Sequence, residues 1–299
     1  MDSASIRRDT VGQLHTAVRA RGECRGTFGE LLQGVLPDNR HFLVTLPITT
    51  RSVVEFEPSP TDHIAARADH KSKSCRAVRD YLQLLGLPPG GILHFDSALP
   101  VGKGLASSSA DMVAAIRAAA ACYCREAAPE LIELILRFIE PTDGVMYDGI
   151  VSFYHREVML DEKLGAVPHF AILSVDRGGE CDTLQFNRVR REIPATTRGE
   201  YDMLLSRMKA AIREGDVRTM GTIATRSCEL SQATNPHPHF EALRSIGAEI
   251  DALGTVATHS GTCIGLLLDA TRTSATMQAA YAIEQLAARG IETRQFTTA

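Results

Sequence analysis

The feature that most constrains this chain is a glycine- and serine-rich segment at residues 100–110, PVGKGLASSSA. A strand is expected just before it, at 91–97, and an alanine-rich helix is expected to leave it and run to about Cys124. The backbone N–H groups at the start of a helix, together with serine hydroxyls, can converge on an anion. The segment therefore predicts a phosphate-binding loop. Helix capping by serine is the alternative, but a cap needs one such residue and this segment has three in a row.

The two commonest nucleotide-binding patterns are absent from this segment. The G-x-x-x-x-G-K-[ST] loop is excluded because Lys103 precedes Gly104 and no Lys-Ser or Lys-Thr pair follows a glycine at the required place. The dinucleotide pattern G-x-G-x-x-G is also missing. Phosphate binding here must follow another pattern.

Composition excludes several classes of partner. The 299 residues can bury a sizeable core in one large or two medium domains. The formal net charge of −4 gives no electrostatic reason to expect nucleic acid or an anionic membrane as a partner. No apolar run approaches the ~20 residues that span a bilayer. The seven cysteines form no C-x-x-C pair, which favours reduced thiols in a cytoplasmic protein over a zinc site or disulfides. Neither a monomer nor a homodimer is excluded.

Strands and helices are mixed along the chain without a regular βαβα alternation, which predicts an α+β fold rather than a doubly wound parallel sheet. Residues 1–21 are expected to form a loose polar leader with a short helix at 11–18, and no secretory signal. We expect an N-terminal nucleotide-binding domain at 22–165 and a C-terminal α+β domain at 166–299. Further strands are expected at 42–56 (broken near Pro47), 151–154, 168–175, on either side of Gly261, and at 292–296. Further helices are expected at 74–87, 130–139, 198–214, 217–232, 240–253 and 273–289.

Three segments, taken in order, resemble the motifs of the GHMP small-molecule kinases. Residues 100–110 are similar to the second motif, P-x-x-x-G-L-[GS]-S-S-A-A, and depart from it at Ala106 and Ser109, both small. Residues 24–34, CRGTFGELLQG, resemble the first motif, and 258–265, THSGTCIG, resemble the third. The GELLQG wording and the run EPTDG at 140–144 are most similar to the branch that phosphorylates L-threonine, which is associated with cobalamin synthesis.

The resemblance implies an N-terminal domain like ribosomal protein S5 and a C-terminal ferredoxin-like α/β sandwich. It also implies ATP and Mg²⁺ as cofactors, with phosphoryl transfer to the hydroxyl of a small amino acid, L-threonine first. Another GHMP acceptor (homoserine or a mevalonate-type acid) and a non-catalytic nucleotide-binding regulator stay open as alternatives. The ATP-binding residues that it implies are Pro100, Gly102, Lys103, Gly104, Leu105, Ala106, Ser107, Ser108 and Ser109.

The family places a catalytic aspartate after a helix, and Asp143 stands in that position here. An ordinary turn aspartate before a glycine is the alternative. Ser108 and Glu140 are the candidate Mg²⁺ ligands, although Glu140 could equally be an exposed glutamate at a helix end. Lys103 either contacts a phosphate or points to solvent.

The implied substrate-binding residues are Glu30, Asp143, Arg177, Asp182, Gly261 and Thr262. Glu30 either binds the ammonium group of an amino acid, as Asp182 could, or braces the first-motif turn. Arg177 either binds a carboxylate through two parallel donors or lies in a solvated turn. The chain departs from many family members at Cys24, where a lysine that assists the catalytic aspartate is usual. We interpret the H-x-H run at 237–239 as a surface turn rather than a metal site.

Overall fold

A computed structural model of the chain describes residues 19–68, 71–179 and 193–298. The helix expected at 11–18 lies outside these residues. The strands in the described part are β1 (Ala20–Val35), β2 (His41–Pro58), β3 (Ile64–Ala66), β4 (Gly91–Ser97), β5 (Ile150–Tyr154), β6 (Met159–Gly165), β7 (Phe170–Asp176), β8 (Gly254–Ala257), β9 (Cys263–Asp269) and β10 (Thr293–Thr297). The helices there are α1 (Ser72–Leu84), α2 (Ser107–Cys122), α3 (Pro129–Leu136), α4 (Ala195–Glu214), α5 (Val217–Gln232), α6 (Phe240–Glu249) and α7 (Ala275–Ala287).

One mixed sheet runs through the described residues, in the order β10-β7-β9-β8-β1-β2-β4-β3, with β5 and β6 attached to β2. All its strand pairs are antiparallel except β3 with β4, so the α+β class expected from the sequence is confirmed. The N-terminal strands join the C-terminal strands where Glu30 of β1 pairs with Ala257 of β8. This junction brings the first and third motifs together.

Helix α2 packs tightly against the long hairpin of β1 and β2 because its side chains are small. A Cβ atom added at Gly22 of β1 would lie 2.3 Å from the carbonyl oxygen of Ala114 and from the backbone nitrogen of Ala118. Such a distance leaves no room for a side chain, so the glycine in β1 and the alanines in α2 allow the backbones to touch. This contact fixes the start of α2, where the phosphate-binding loop is expected, relative to the sheet.

Most of the expected elements are confirmed, including β4 at 91–97 and the strand pair on either side of Gly261. The expected break near Pro47 is wrong, because β2 is continuous. Pro47 pairs with Thr27 at a point where the register of β1 shifts, so the missing N–H of proline falls where the ladder is irregular. The third helix ends at Leu136 rather than Ile139, and the helix expected to reach residue 253 ends at Glu249. Among the described helices, none is long and apolar enough to cross a membrane.

Candidate active site

The loop that the sequence predicts to bind phosphate contains backbone in a left-handed conformation. Gly102 has a φ of 72° and Gly104 has a φ of 77°, and Ala106 precedes the first helical residue with a φ of 57°. The N-cap residue of α2 is thus Ala106 rather than a serine, and no side chain makes a capping hydrogen bond there. The serines therefore do not cap the helix, and the N–H groups of its first turn are directed at the space in front of it. The capping alternative fails, and an anion seat fits the geometry.

The three serines at the start of α2 have different partners. Ser107 is the first helical residue and is partly buried. The hydroxyl of Ser108 donates to Glu140 Oε1 at 2.6 Å. The Ser109 hydroxyl accepts hydrogen bonds from Thr142 Oγ1 at 2.6 Å and from the backbone N–H of Asp143 at 3.3 Å. Ser109 thus holds the loop of Asp143 against the helix, a role that the motif alone does not indicate.

Glu140 is a buried carboxylate at the mouth of the loop, with a side chain that is 5% exposed. Its second oxygen, Oε2, accepts from the ammonium of Lys73 at 2.5 Å. The exposed helix-end alternative for Glu140 is therefore wrong. Ser108 and Glu140 supply two oxygen donors side by side, which suits Mg²⁺, a cation that takes one or two protein oxygens together with substrate phosphates. Lys73 adds a positive charge near the phosphate seat.

Glycines bring the three motifs into contact. A Cβ atom at Gly261 would lie 2.1 Å from the carbonyl oxygen of Lys103, and one at Gly104 would lie 2.5 Å from Cβ of Thr258. Gly29, with a φ of 53°, lies as close to the third motif: its Cβ would be 2.4 Å from the carbonyl oxygen of Ala257. Backbone packs on backbone at Gly261 and Gly29, and Gly104 packs on the side chain of Thr258 and the backbone of Gly261. The first, second and third motifs therefore surround one site.

Asp143 lies at this site, on the loop that follows α3. Its backbone is fixed by Ser109 and by the hydrogen bond from the N–H of Val145 to its carbonyl oxygen, at 2.8 Å. Within the described residues, the carboxylate has neither a hydrogen-bond nor an ion-pair partner. Burial, with a smaller contribution from the negative charge of Glu140, raises the pKa of Asp143 to about 6. A carboxylate of this pKa can accept a proton near neutral pH.

Glu30 is a second buried carboxylate, 4% exposed, at the point where β1 meets β8. Burial raises its pKa well above the usual range, the nearby charge of Asp143 raises it further, and the backbone N–H of His259 lowers it. Its Oε2 atom has no hydrogen-bond partner in the described part of the chain. A buried carboxylate oxygen without a donor favours a cationic ligand.

The remaining candidates have protein partners. The ammonium of Lys103 lies 2.7 Å from Asp176 Oδ2 and 2.6 Å from the carbonyl oxygen of Gly179, so it neither lies free in solvent nor is spare for a phosphate. Arg177 donates from Nη1 to the carbonyl oxygen of Pro236 at 2.8 Å. Thr262 is buried, and its carbonyl oxygen accepts from the backbone N–H of Arg177 at 3.0 Å. Asp182 lies outside the described residues.

The loop before α2 also contacts the first motif. Leu105 is buried, and its carbonyl oxygen accepts the backbone N–H of Thr27 at 3.3 Å, while Pro100 is partly buried. Cys24 is buried, and its thiol donates to the carbonyl oxygen of Val145, two residues after Asp143. Burial raises the pKa of the Cys24 thiol to about 12, so the thiol is neutral. The Cys24 thiol packs against the loop of Asp143 and, being neutral, supplies no positive charge there.

The histidines of the 237–239 run are engaged within the protein. The Nε2 atom of His237 lies 3.0 Å from the carbonyl oxygen of Thr262, and burial lowers the pKa of this histidine to about 4. Its Nδ1 atom accepts from the backbone N–H of His239 at 3.3 Å. The Nε2 atom thus joins this loop to the third motif, and the Nδ1 atom holds the loop itself.

Sequence reasoning missed Lys73, Thr142 and His155, which reach the site from elements far apart in the chain. Lys73 lies in α1, sixty-seven positions before its partner Glu140. His155 follows β5, and its carbonyl oxygen accepts the N–H of Thr142 at 3.1 Å. No local pattern marks Lys73 or His155, and the EPTDG run that contains Thr142 does not indicate its hydrogen bond to Ser109.

Two family models match the chain. The GHMP kinases N terminal domain matches residues 72–152, and the GHMP kinases C terminal model matches residues 208–284. Together they cover more than half of the chain. The first match includes the loop before α2 and Asp143, and the second covers most of the C-terminal half, including the third motif.

Known proteins resemble the chain over most of its length. It is 29% identical to an L-threonine kinase of Citrobacter freundii over 259 residues, which covers 85% of this chain and 88% of the relative. An L-threonine kinase of Salmonella typhimurium is 27% identical over 258 residues, covering 85% and 84% of the two chains. The crystal structure of a homoserine kinase from Cytophaga hutchinsonii superposes with a TM-score of 0.74 at 15% identity, covering 94% of each chain. The two-domain fold is therefore shared, and the chain belongs to the GHMP kinases, a family of small-molecule kinases.

Proposed function

We propose that the chain transfers the γ-phosphoryl group of ATP to the hydroxyl of L-threonine, giving O-phospho-L-threonine, with Mg²⁺ as the metal cofactor. The observation that carries this proposal is the grouping of Ser108, Glu140, Asp143 and Glu30 around the start of α2. The 27–29% identity to two L-threonine kinases supports the choice of acceptor. We also propose that the protein acts in the cytoplasm, and that residues 22–165 and 166–299 are its two domains.

The donor half of the site is proposed to be the loop at 100–109. The first-turn N–H groups of α2 and the glycine-rich backbone before it suit the phosphates of ATP. Ser108 and Glu140 would hold Mg²⁺, which neutralises phosphate charge during transfer. Lys73, beside Glu140, adds a second positive charge at the same place. Phosphoryl transfer needs mainly such positioning and charge neutralisation from a protein.

The acceptor half is proposed to lie between Asp143 and Glu30. Asp143, with a pKa of about 6, would orient the threonine hydroxyl and accept its proton as the bond to phosphorus forms. Glu30 would bind the ammonium group, and its unpartnered Oε2 atom supports binding over a purely bracing role. Gly261 and Thr262 would line the same pocket from the third motif. No lysine stands beside Asp143 at position 24, so its basicity depends on burial and on Glu140.

Homoserine or a mevalonate-type acid remains the alternative acceptor, because the homoserine kinase structure shares the fold. The hydroxyl of homoserine is one carbon farther from the ammonium and carboxylate groups. A site that places the threonine hydroxyl in line with ATP should therefore misalign the homoserine hydroxyl. A regulator that binds nucleotide without turnover is the alternative from another class, since a fold does not fix an activity.

A coupled assay of ADP release with L-threonine, L-serine, L-homoserine and mevalonate tests the proposal. L-Threonine should give the highest kcat/KM, about 10- to 200-fold above L-serine, because its methyl group fills an apolar pocket. A higher kcat/KM for homoserine, or for an acid lacking the amine, would refute the threonine assignment and leave a kinase. ATP binding without turnover of any acceptor would favour the regulator.

A further inference from the structure

A buried imidazole near the acceptor half of the site has no partner for either ring nitrogen. His155, in the turn after β5, is 2% exposed, and neither its Nδ1 nor its Nε2 atom makes a hydrogen bond within the described chain. Burying a polar group without a hydrogen bond is costly, and most such groups in native proteins are paired. Nitrogens left unpaired in the free protein suit a ligand that supplies the missing partner.

The next residue, Arg156, shows the same lack of partners. Its Nε atom is buried and unpaired, and among the described residues the guanidinium forms no ion pair. The charge that raises its pKa is that of its neighbour Glu157, while burial lowers it. Arg156 contributes to the low pKa of both His41 and His155, so it lies close to both rings. Two adjacent side chains therefore carry buried nitrogens without a hydrogen-bond partner in the described chain, and Glu157 acts on Arg156 only through its charge.

These donors lie next to the residues proposed to hold the acceptor. The N–H of Thr142, the residue before Asp143, donates to the carbonyl oxygen of His155 at 3.1 Å. The ring of His155 packs edge-on against that of His259 of the third motif, with 4.6 Å between centroids. The backbone N–H of His259 in turn meets the carboxylate of Glu30. The backbone of His155 thus bonds to the residue before Asp143, and its ring packs against the residue whose N–H meets Glu30.

We propose that Arg156 and His155 bind the carboxylate of the amino-acid acceptor, while Glu30 binds its ammonium group. This inference rests on the proposed function and adds the recognition of the carboxylate. A carboxylate can accept from the guanidinium and from the imidazole N–H together, one oxygen to each. The rival candidate, Arg177, is exposed and already donates to the carbonyl oxygen of Pro236. Two oppositely charged anchors of this kind would select an amino acid over a neutral alcohol.

The test compares L-threonine with L-threonine amide, which keeps the hydroxyl and the ammonium but lacks the negative charge. The wild-type protein should prefer the acid by about 10- to 100-fold in kcat/KM, the effect expected of one charge-assisted hydrogen bond. In Arg156→Gln and in His155→Phe the ratio of kcat/KM for the acid to kcat/KM for the amide should fall towards one. The fall should come from a higher KM for L-threonine, while KM for ATP stays unchanged. Arg244→Gln, which alters an exposed arginine paired with Glu241 on α6, should keep the wild-type preference.

Folding is checked by thermal melting. His155→Phe should melt no lower than the wild type, because it removes two buried polar atoms that lack partners. Arg156→Lys keeps the charge without the planar donors and should lose part of the preference, so it provides a second test if Arg156→Gln does not fold. An unchanged preference for the acid over the amide in these variants, or its loss only in Arg177→Gln, would overturn this inference and leave the proposed function standing. Failure of the wild-type protein to phosphorylate any hydroxy amino acid would overturn the proposed function and this inference together.

Discussion

Two carboxylates, the buried Glu30 and the partly buried Asp143, lie close enough for the charge of Asp143 to raise the pKa of Glu30. Burial is the main cause of the raised pKa of each group, and Asp143 contributes further to that of Glu30. A free protein gains no stability from this pairing, since like charges in a poorly solvated place repel each other. Groups held in this way are typical of functional sites. In the proposed function, the ammonium group of the substrate would offset this cost by binding at Glu30.

Asp143→Asn should lower kcat by about 10²- to 10⁴-fold while changing KM for ATP little, because a general base acts in the transition state. In the wild type, kcat should fall as the pH is lowered through about 6, because the Asp143 carboxylate, with a pKa of about 6, takes up a proton. Steady-state kinetics from pH 5 to pH 8 measure both effects. A loss of kcat below about tenfold in Asp143→Asn would mean that Asp143 is a structural turn residue and not the base.

Glu30→Gln should abolish the recognition of amino acids and yet stabilise the fold at high pH. The pKa of Glu30 is raised in the folded protein, so its contribution to stability is present at low pH and is lost as the pH rises through that pKa. The variant should therefore melt about 2–4 °C above the wild type at pH 8, the shift that ~1 kcal/mol produces in a chain of this size class. The difference should shrink towards pH 5. Equal melting temperatures of the variant and the wild type at both pH 5 and pH 8 would show that ionisation of Glu30 costs no folding stability.

At the scale of elements, the site depends on glycines that let loops touch. Helix α2 is fixed against β1 at Gly22, and the loop before it is fixed against the third motif at Gly104 and Gly261. The N–H groups of the helix and the carboxylates of the Asp143 loop are thereby held at a defined separation. Such preorganisation is what phosphoryl transfer demands, since small displacements of reacting groups are costly.

Gly261→Ala should separate the second and third motifs. The new Cβ would lie 2.1 Å from the carbonyl oxygen of Lys103, so backbone must move, at a cost of about 1–3 kcal/mol in stability. We expect a lower melting temperature and a higher KM for ATP. The matched control is Gly199→Ala in α4, where a Cβ would meet nothing within 4 Å and helix propensity should raise stability slightly. Wild-type kinetics and melting in Gly261→Ala would mean that the two loops are not coupled.

At the scale of the whole molecule, the sequence predicted most of the elements and the three motifs, but not strands such as β3 and β6 or the contacts that join the motifs. The strand at 91–97 and the helix after it follow from local pattern, as do the glycines and serines between them. The pairing of Ser108 with Glu140 does not, because thirty-two positions separate the two residues. His155 gives no signal at all in the sequence, since a lone histidine after an apolar strand is ordinary. Its lack of partners appears only when the third motif packs beside it.

Phosphorus NMR of the reaction mixture can show whether this site moves a phosphoryl group from ATP to the hydroxyl of L-threonine, as we propose. With Mg²⁺, ATP and L-threonine, we expect the γ-phosphate signal to be replaced by a phosphomonoester signal coupled to the β-proton of threonine. The Asp143→Asn variant should form this product far more slowly under the same conditions. Inorganic phosphate as the only product, or phosphorus attached to the amine or the carboxylate, would contradict the account.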